Sequence, residues 1–143
     1  MTEPLNEVAG SFCIRRLEEI GSARRWLKEA LGARRYSRHD TFAVRLAFEE
    51  AVANAVTHGN GGDPAKTVMI ALVVDDAKVQ MTICDEGSGF DYSHVADPTA
   101  DRNILKESGR GVMLIRSFMD DISYTGPGNC VRLVKYRSGN APP

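Results

Sequence analysis

Residues 40–59 read DTFAVRLAFEEAVANAVTHG, and they are followed by TVMIALVVD (67–75) and KVQMTICDEGSGFD (78–91); the change of period between these stretches decides the fold. In the first, Val44, Phe48, Ala51, Val52 and Ala55 recur at helical spacing, so one stripe of a helix running to about Thr57 faces a core. Asp40 offers an N-cap oxygen for it. HGNGGDP (58–64) then breaks regular structure. Beyond the break the period falls to two: Val79, Met81 and Ile83 alternate with polar neighbours, and the short DDA connection (75–77) predicts an antiparallel hairpin.

Working outward, SFCIRRLEEI (11–20) reads as a first strand, and Ala23, Trp26, Leu27, Ala30 and Leu31 mark a helix from Gly21 that Gly32 can end. On the other side, GVMLIRSFMDD (111–121) reads as a third helix from Gly111, followed by strands ISYT (122–125) and NCVRLVKY (129–136) around the turn GPGN. Between them, residues 92–108 are long, polar and without apolar periodicity, which predicts a mobile lid. The order β-α-α-β-β-(lid)-α-β-β predicts an α+β, two-layer sandwich: a mostly antiparallel sheet with helices on one face. Residues 10–137 form the expected domain, with 1–9 and 138–143 as flexible tails.

The chain has 143 residues, 43% of them hydrophobic, enough for one sizeable core and too few for two. Its 18 Lys+Arg balance 19 Asp+Glu for a net charge of −1, which argues against nucleic acid as a direct partner. No run approaches 18 apolar residues, so no membrane span is expected, and the N-terminus lacks the basic and apolar regions of a signal peptide. Cys13, Cys84 and Cys130 are odd in number and widely spaced, which fits reduced thiols in a cytoplasmic protein and gives no zinc site.

Three constellations carry chemistry. Glu50, Asn54 and His58 are spaced four apart on one helix face beside the apolar stripe; a carboxylate and an amide one turn apart offer a proton acceptor and a neutral oxygen for Mg²⁺. The same residues also suit an ordinary exposed helix edge. Asp85-Glu86-Gly87-Ser88-Gly89 leaves a strand, so its glycines admit close approach of a ligand and Asp85 can accept hydrogen bonds from a base amine; an acidic turn is the bland alternative. Gly109-Arg110-Gly111 precedes a helix whose free N–H groups favour an anion, or it is simply a loop and a helix start. Lys106, just upstream, can reach a phosphate or sit in a solvated charge pair.

Taken in order, EEAVANAVTHG (49–59), DEGSGFD (85–91) and ESGRGVMLI (107–115) resemble the N, G1 and G2 boxes of the GHKL ATPase superfamily, whose fold is the Bergerat sandwich. The short length and the segment DPTADRNILKESGRGVMLIRSFMDDISY (97–124) look specifically like the anti-sigma-factor serine-protein kinases, and the likeness spans roughly residues 10–137. The resemblance implies Glu50 as general base, Asn54 as Mg²⁺ ligand, Asp85 as the adenine contact with Gly87 and Gly89 beside the base, and Gly109 and Gly111 as hinge and phosphate contacts around the lid. Glu49 points about 100° from Glu50 on a helix, which makes Glu50 the better base. The resemblance also implies ATP and Mg²⁺ as cofactors and a STAS-type anti-anti-sigma protein and a sigma factor as partners. Arg24, in SAR (22–24), falls where such kinases contact a partner, although a solvated arginine would look the same. Members often form homodimers, and the first strand with its sheet edge offers an interface. One departure stands out: Asn129-Cys130 replaces the usual Gly-Thr before the last strand, and a thiol is a poor substitute for a hydroxyl near the nucleotide.

The leading expectation is an ATP-dependent serine/threonine kinase that phosphorylates a STAS protein and sequesters a sigma factor. A two-component histidine kinase would need a phosphoacceptor hairpin, for which residues 1–40 are too few. A capture module without kinase activity and a kinase in a non-sigma phosphoprotein switch stay open, because the difference lies in the partner.

Overall fold

The computed structural model describes residues 6–87, 115–126 and 129–139. Five strands, β1 (Val8–Ile14), β2 (Val68–Val74), β3 (Lys78–Cys84), β4 (Asp121–Thr125) and β5 (Cys130–Tyr136), form one sheet in the order β1-β2-β3-β5-β4, every pair antiparallel. Two helices, α1 (Gly21–Ala33) and α2 (Arg38–Asn54), supply the second layer. Residues 115–118 are also helical, and Ile115 and Met119 are buried.

Alternation decides which sheet face is covered. Val68, Ile70, Leu72 and Val74 of β2 and Val79, Met81 and Ile83 of β3 are buried, while the intervening residues are half-buried or exposed. These inner residues meet Leu27 and Leu31 of α1 and Val44, Phe48, Ala51 and Val52 of α2 in a single core. The expected α+β sandwich with a mostly antiparallel sheet and helices on one face is the fold observed.

Three local expectations need correction. The first strand covers Val8–Ile14 rather than 11–20, and Leu17–Ile20 is a 3₁₀ turn. Glu19 causes the break: its Oε1 accepts the backbone N–H groups of Arg15 and Arg16 at 2.7 and 2.9 Å, an alternative to the strand ladder. Second, Ser37, not Asp40, caps α2, its Oγ accepting from Asp40 N at 3.0 Å. Third, the two ends reach further into the fold than the expected tails. Val8 and Ala9 pair with Val74 and Val73 in the sheet. Ser138 donates from its backbone N to Asp40 Oδ2 at 2.9 Å and from its hydroxyl to Oδ1.

Asp40 is fully buried, with Lys135 Nζ at 3.8 Å. Burial pushes its carboxyl pKa up, but the Ser138 hydrogen bonds, Lys135 and Ser37 outweigh this and hold it below its ordinary value. A carboxylate depressed on folding contributes stability above its unfolded pKa and loses it as pH falls through the folded value. Asp40→Asn should therefore cost about 1.5–3 kcal/mol at neutral pH, the range for hydrogen bonds to a charged group. It should also flatten the acid limb of the stability–pH curve, measured by urea unfolding between neutrality and the acid range.

Candidate functional site

The site is built where the end of α2 meets the end of β3. After Asn54 the helix widens into a π-helical turn, Ala55–Gly59, with Asn60 N donating to Ala55 O at 2.9 Å and Gly62 N to Val56 O at 2.9 Å. Such turns concentrate at functional sites because they re-aim the residues that follow. Here the turn takes His58 off the Glu50–Asn54 stripe and leaves it exposed, while Glu50 and Asn54 stay half-buried.

The turn presses Gly59 against the DEG loop. A Cβ on Gly59 would overlap the Asp85 carboxylate, and one on Gly87 would overlap the Gly59 carbonyl oxygen. Both glycines are thus required by close approach of backbone and side chain. Asn60, only 3% exposed, ties the two segments together: its Oδ1 accepts from Glu86 N at 2.8 Å and its Nδ2 donates to Thr67 O at 2.9 Å. Thr67 Oγ1 in turn donates to Glu86 Oε2 at 2.8 Å. Gly59→Ala should cost about 1–3 kcal/mol of stability through overpacking. It should also displace the Asp85 carboxylate, a shift that the Gly87 amide resonance will report.

Asp85 is held from three sides. Its Oδ1 accepts from Gly87 N at 2.8 Å, its backbone N donates to Asn129 O at 2.9 Å, and its carbonyl accepts from Asn129 Nδ2 at 3.0 Å. Among the described residues no hydrogen bond reaches Oδ2, the carboxylate oxygen that lies against Gly59. Burial raises the Asp85 pKa above the ordinary value, offset in part by the Gly87 N–H and by the charge of Lys66.

Glu49 and Glu50 have separate fates. Arg24 of α1 grips Glu49 with two hydrogen bonds, Nε to Oε2 at 2.9 Å and Nη2 to Oε1 at 2.7 Å. Glu50 makes no hydrogen bond or ion pair among the described residues. Beside the Arg24–Glu49 pair lies a groove of about 620 Å³ lined by Arg38, Phe42, Arg45 and Leu46 as well. Phe42 is 60% exposed on its rim. The groove does not include Glu50, Asn54 or Asp85, so two distinct surfaces meet along α2.

Of the sequence-derived candidates, Glu50, Asn54, Asp85 and Gly87 thus belong to the neighbouring ends of α2 and β3, and Arg24 lies on the adjoining groove. Gly89, Lys106, Gly109, Arg110, Gly111 and the expected lid 92–108 lie outside the described residues. Sequence reasoning missed Asn60 and Lys66; the Asn directly after HG was the available signal for the first, whereas the second depends on the loop's path.

The cysteines require a correction. Cys84 and Cys130 are disulfide-bonded, with Cα atoms 4.1 Å apart, and only Cys13 is free. They are 46 residues apart in sequence but directly opposed in the β3–β5 register, which no spacing rule could reveal. Cys84 alternates with buried Ile83, so the pair points to the sheet face opposite the helices. Cys130 therefore does not stand in for a hydroxyl facing the site, while Asn129 supports Asp85 directly.

The donor set fits a purine nucleotide and its metal. Asp85 can accept from an exocyclic amine, and the Asn54 amide oxygen suits a hard cation. Among the described residues no cluster of three His, Cys, Asp or Glu could hold a metal alone. No described helix is long and apolar enough to cross a membrane.

Comparison with known proteins agrees with this geometry. Residues 14–135 match the family described as Histidine kinase-like ATPase domain. The chain is 34% identical over 102 residues to the Anti-sigma F factor of Bacillus cytotoxicus, covering 68% of this chain and 70% of that protein. It is 33% identical over the same length and shares to the Anti-sigma F factors of Bacillus thuringiensis and Bacillus mycoides. The sandwich, the α2–β3 junction and these matches place the chain in the histidine kinase-like ATPase domain family, with anti-sigma F factors among its relatives.

Proposed function

We propose that this protein is a Mg²⁺- and ATP-dependent serine/threonine kinase of the anti-sigma type, acting in the cytoplasm on a STAS-type anti-anti-sigma protein and capturing a sigma factor. The observation that carries the reading is the division of labour between adjacent carboxylates: Glu49 is neutralised by Arg24, and Glu50, one helical turn from Asn54, has no partner among the described residues. The names of the relatives support the anti-sigma half of the reading.

ATP supplies the transferable phosphoryl group, and Mg²⁺ offsets its charge. Asp85 and the Gly87 backbone orient the base end, and Asn54 offers the metal a neutral oxygen. Glu50 accepts the proton of the incoming serine hydroxyl, which requires the partner serine to sit at the mouth of the cleft beside α2. Arg24, Arg38 and Arg45 with exposed Phe42 make the neighbouring groove a cationic, partly apolar surface suited to an acidic partner segment. Gly89, Lys106, Gly109, Arg110 and Gly111 complete the phosphate end in this reading.

The direct test incubates the protein with γ-labelled ATP, Mg²⁺ and a STAS protein encoded beside it. Label on a serine of the STAS protein supports the kinase; capture without label supports a binding module. Arg24→Glu should weaken partner capture about ten-fold or more, as for an interfacial arginine, while the Kd for ATP stays unchanged. Surface-immobilised partner titrations measure the first and calorimetry the second; unchanged capture would return Arg24 to a purely structural ion pair.

A further inference from the structure

We propose that Cys84 and Cys130 form a thiol–disulfide switch that sets nucleotide affinity by locking or releasing Asp85. This rests on the nucleotide reading of Asp85 given above. Cys84 immediately precedes Asp85, and Cys130 immediately follows Asn129, the residue that holds Asp85 through backbone and side chain. The disulfide therefore closes the end of the β3–β5 ladder at the pair of residues that position the carboxylate.

The bond is accessible and dispensable for the fold. Both cysteines are half-buried on the sheet face that α1 and α2 leave uncovered. Six further β3–β5 pairs, from Ile83↔Val131 to Lys78↔Tyr136, hold the two strands without it. Cys13 cannot replace either partner. It stands in the same cross-strand row, but Met69 of β2 separates it from Cys84, a distance of about two strand spacings or 9.5 Å. That exceeds the reach of a disulfide. In a reducing compartment such a pair belongs to the transient, redox-responsive class.

The chemistry balances with a disulfide as the oxidant. The thiolate of one cysteine attacks a small-molecule or protein disulfide and expels one thiol, leaving a mixed disulfide. The second cysteine attacks that bond, forms Cys84–Cys130 and expels the second thiol. Two electrons and two protons pass to the incoming disulfide, and a dithiol reverses both steps. In the oxidised state Asp85 and Asn129 are pinned; in the reduced state the strand ends fray, so the carboxylate spends less time in its binding position.

The test uses the Cys13→Ser protein, oxidised with glutathione disulfide or reduced with dithiothreitol. Thiol alkylation and mass spectrometry report the bond, calorimetry the Kd for Mg²⁺·ATP, and hydrogen exchange the Asp85 and Gly87 amides. The oxidised protein should bind about five-fold or more tighter, the lower end of typical coupling between sites. Its Asp85 amide should exchange more slowly. The Cys84→Ser/Cys130→Ser variant should match the reduced protein, ignore oxidant and retain the circular dichroism of the folded chain. Equal affinity in both redox states, or thiols that never pair, would overturn the coupling alone. Absence of ATP binding in both states would overturn it together with the nucleotide reading of Asp85.

Discussion

Glu50→Gln is expected to lower phosphoryl transfer by about 10²–10⁴-fold, the usual contribution of a positioned base, with the Kd for Mg²⁺·ATP nearly unchanged. The amide keeps the size of the side chain but cannot accept the serine proton. Glu50 makes no ion pair among the described residues, so the substitution breaks no structural contact there, in contrast to Glu49, whose loss would orphan Arg24. Asn54→Ala should behave differently, losing metal-dependent ATP binding and transfer together, because the proposed role of Asn54 is that of a metal ligand. Single-turnover transfer of labelled phosphate and calorimetric titration, run on both variants, separate the two roles. If Glu50→Gln transferred phosphate at the wild-type rate, the proton would have another acceptor and the base assignment would fall.

Asp85→Asn should weaken ATP binding by about 10–100-fold, since a site built to accept a hydrogen bond would present a donor to the base amine. The pH dependence adds a second signature. Burial raises the Asp85 pKa, so the acceptor is lost to protonation at a pH above the ordinary aspartate range. Binding by the wild type should therefore decline on acidification at a higher pH than for an ordinary aspartate, and the Asn variant should lack this step. Calorimetric titrations from neutral to mildly acidic pH measure both effects. A wild-type profile that matches the variant's would show that the carboxylate does not contact the base.

Much of this protein is legible in the order of its residues, for reasons that are local. The apolar stripe from Val44 to Ala55 and the alternation Val79, Met81, Ile83 report burial on one face, because helix and strand have fixed periods and only one side of each meets the core. The DDA connection forces β2 and β3 antiparallel, as observed. Helical geometry also sets Glu49 and Glu50 about 100° apart, and Arg24 pairs with Glu49.

What the sequence could not decide depends on which distant residues meet. Glu19 folding back on Arg15 and Arg16 ends β1 early. Asp40, read as a cap because caps are local, is instead claimed by Ser138, 98 residues away. The need for glycine at 59 and 87 comes from the α2 turn lying on the DEG loop, a contact set by how the helix layer sits on the sheet. Cys84 and Cys130 show the same limit most directly. Sequence determined that each lies at a strand end, but their pairing follows from the β3–β5 register, which joins strands separated by 46 residues. Periodicity encodes which face a residue presents; only the assembled sheet decides what stands opposite it.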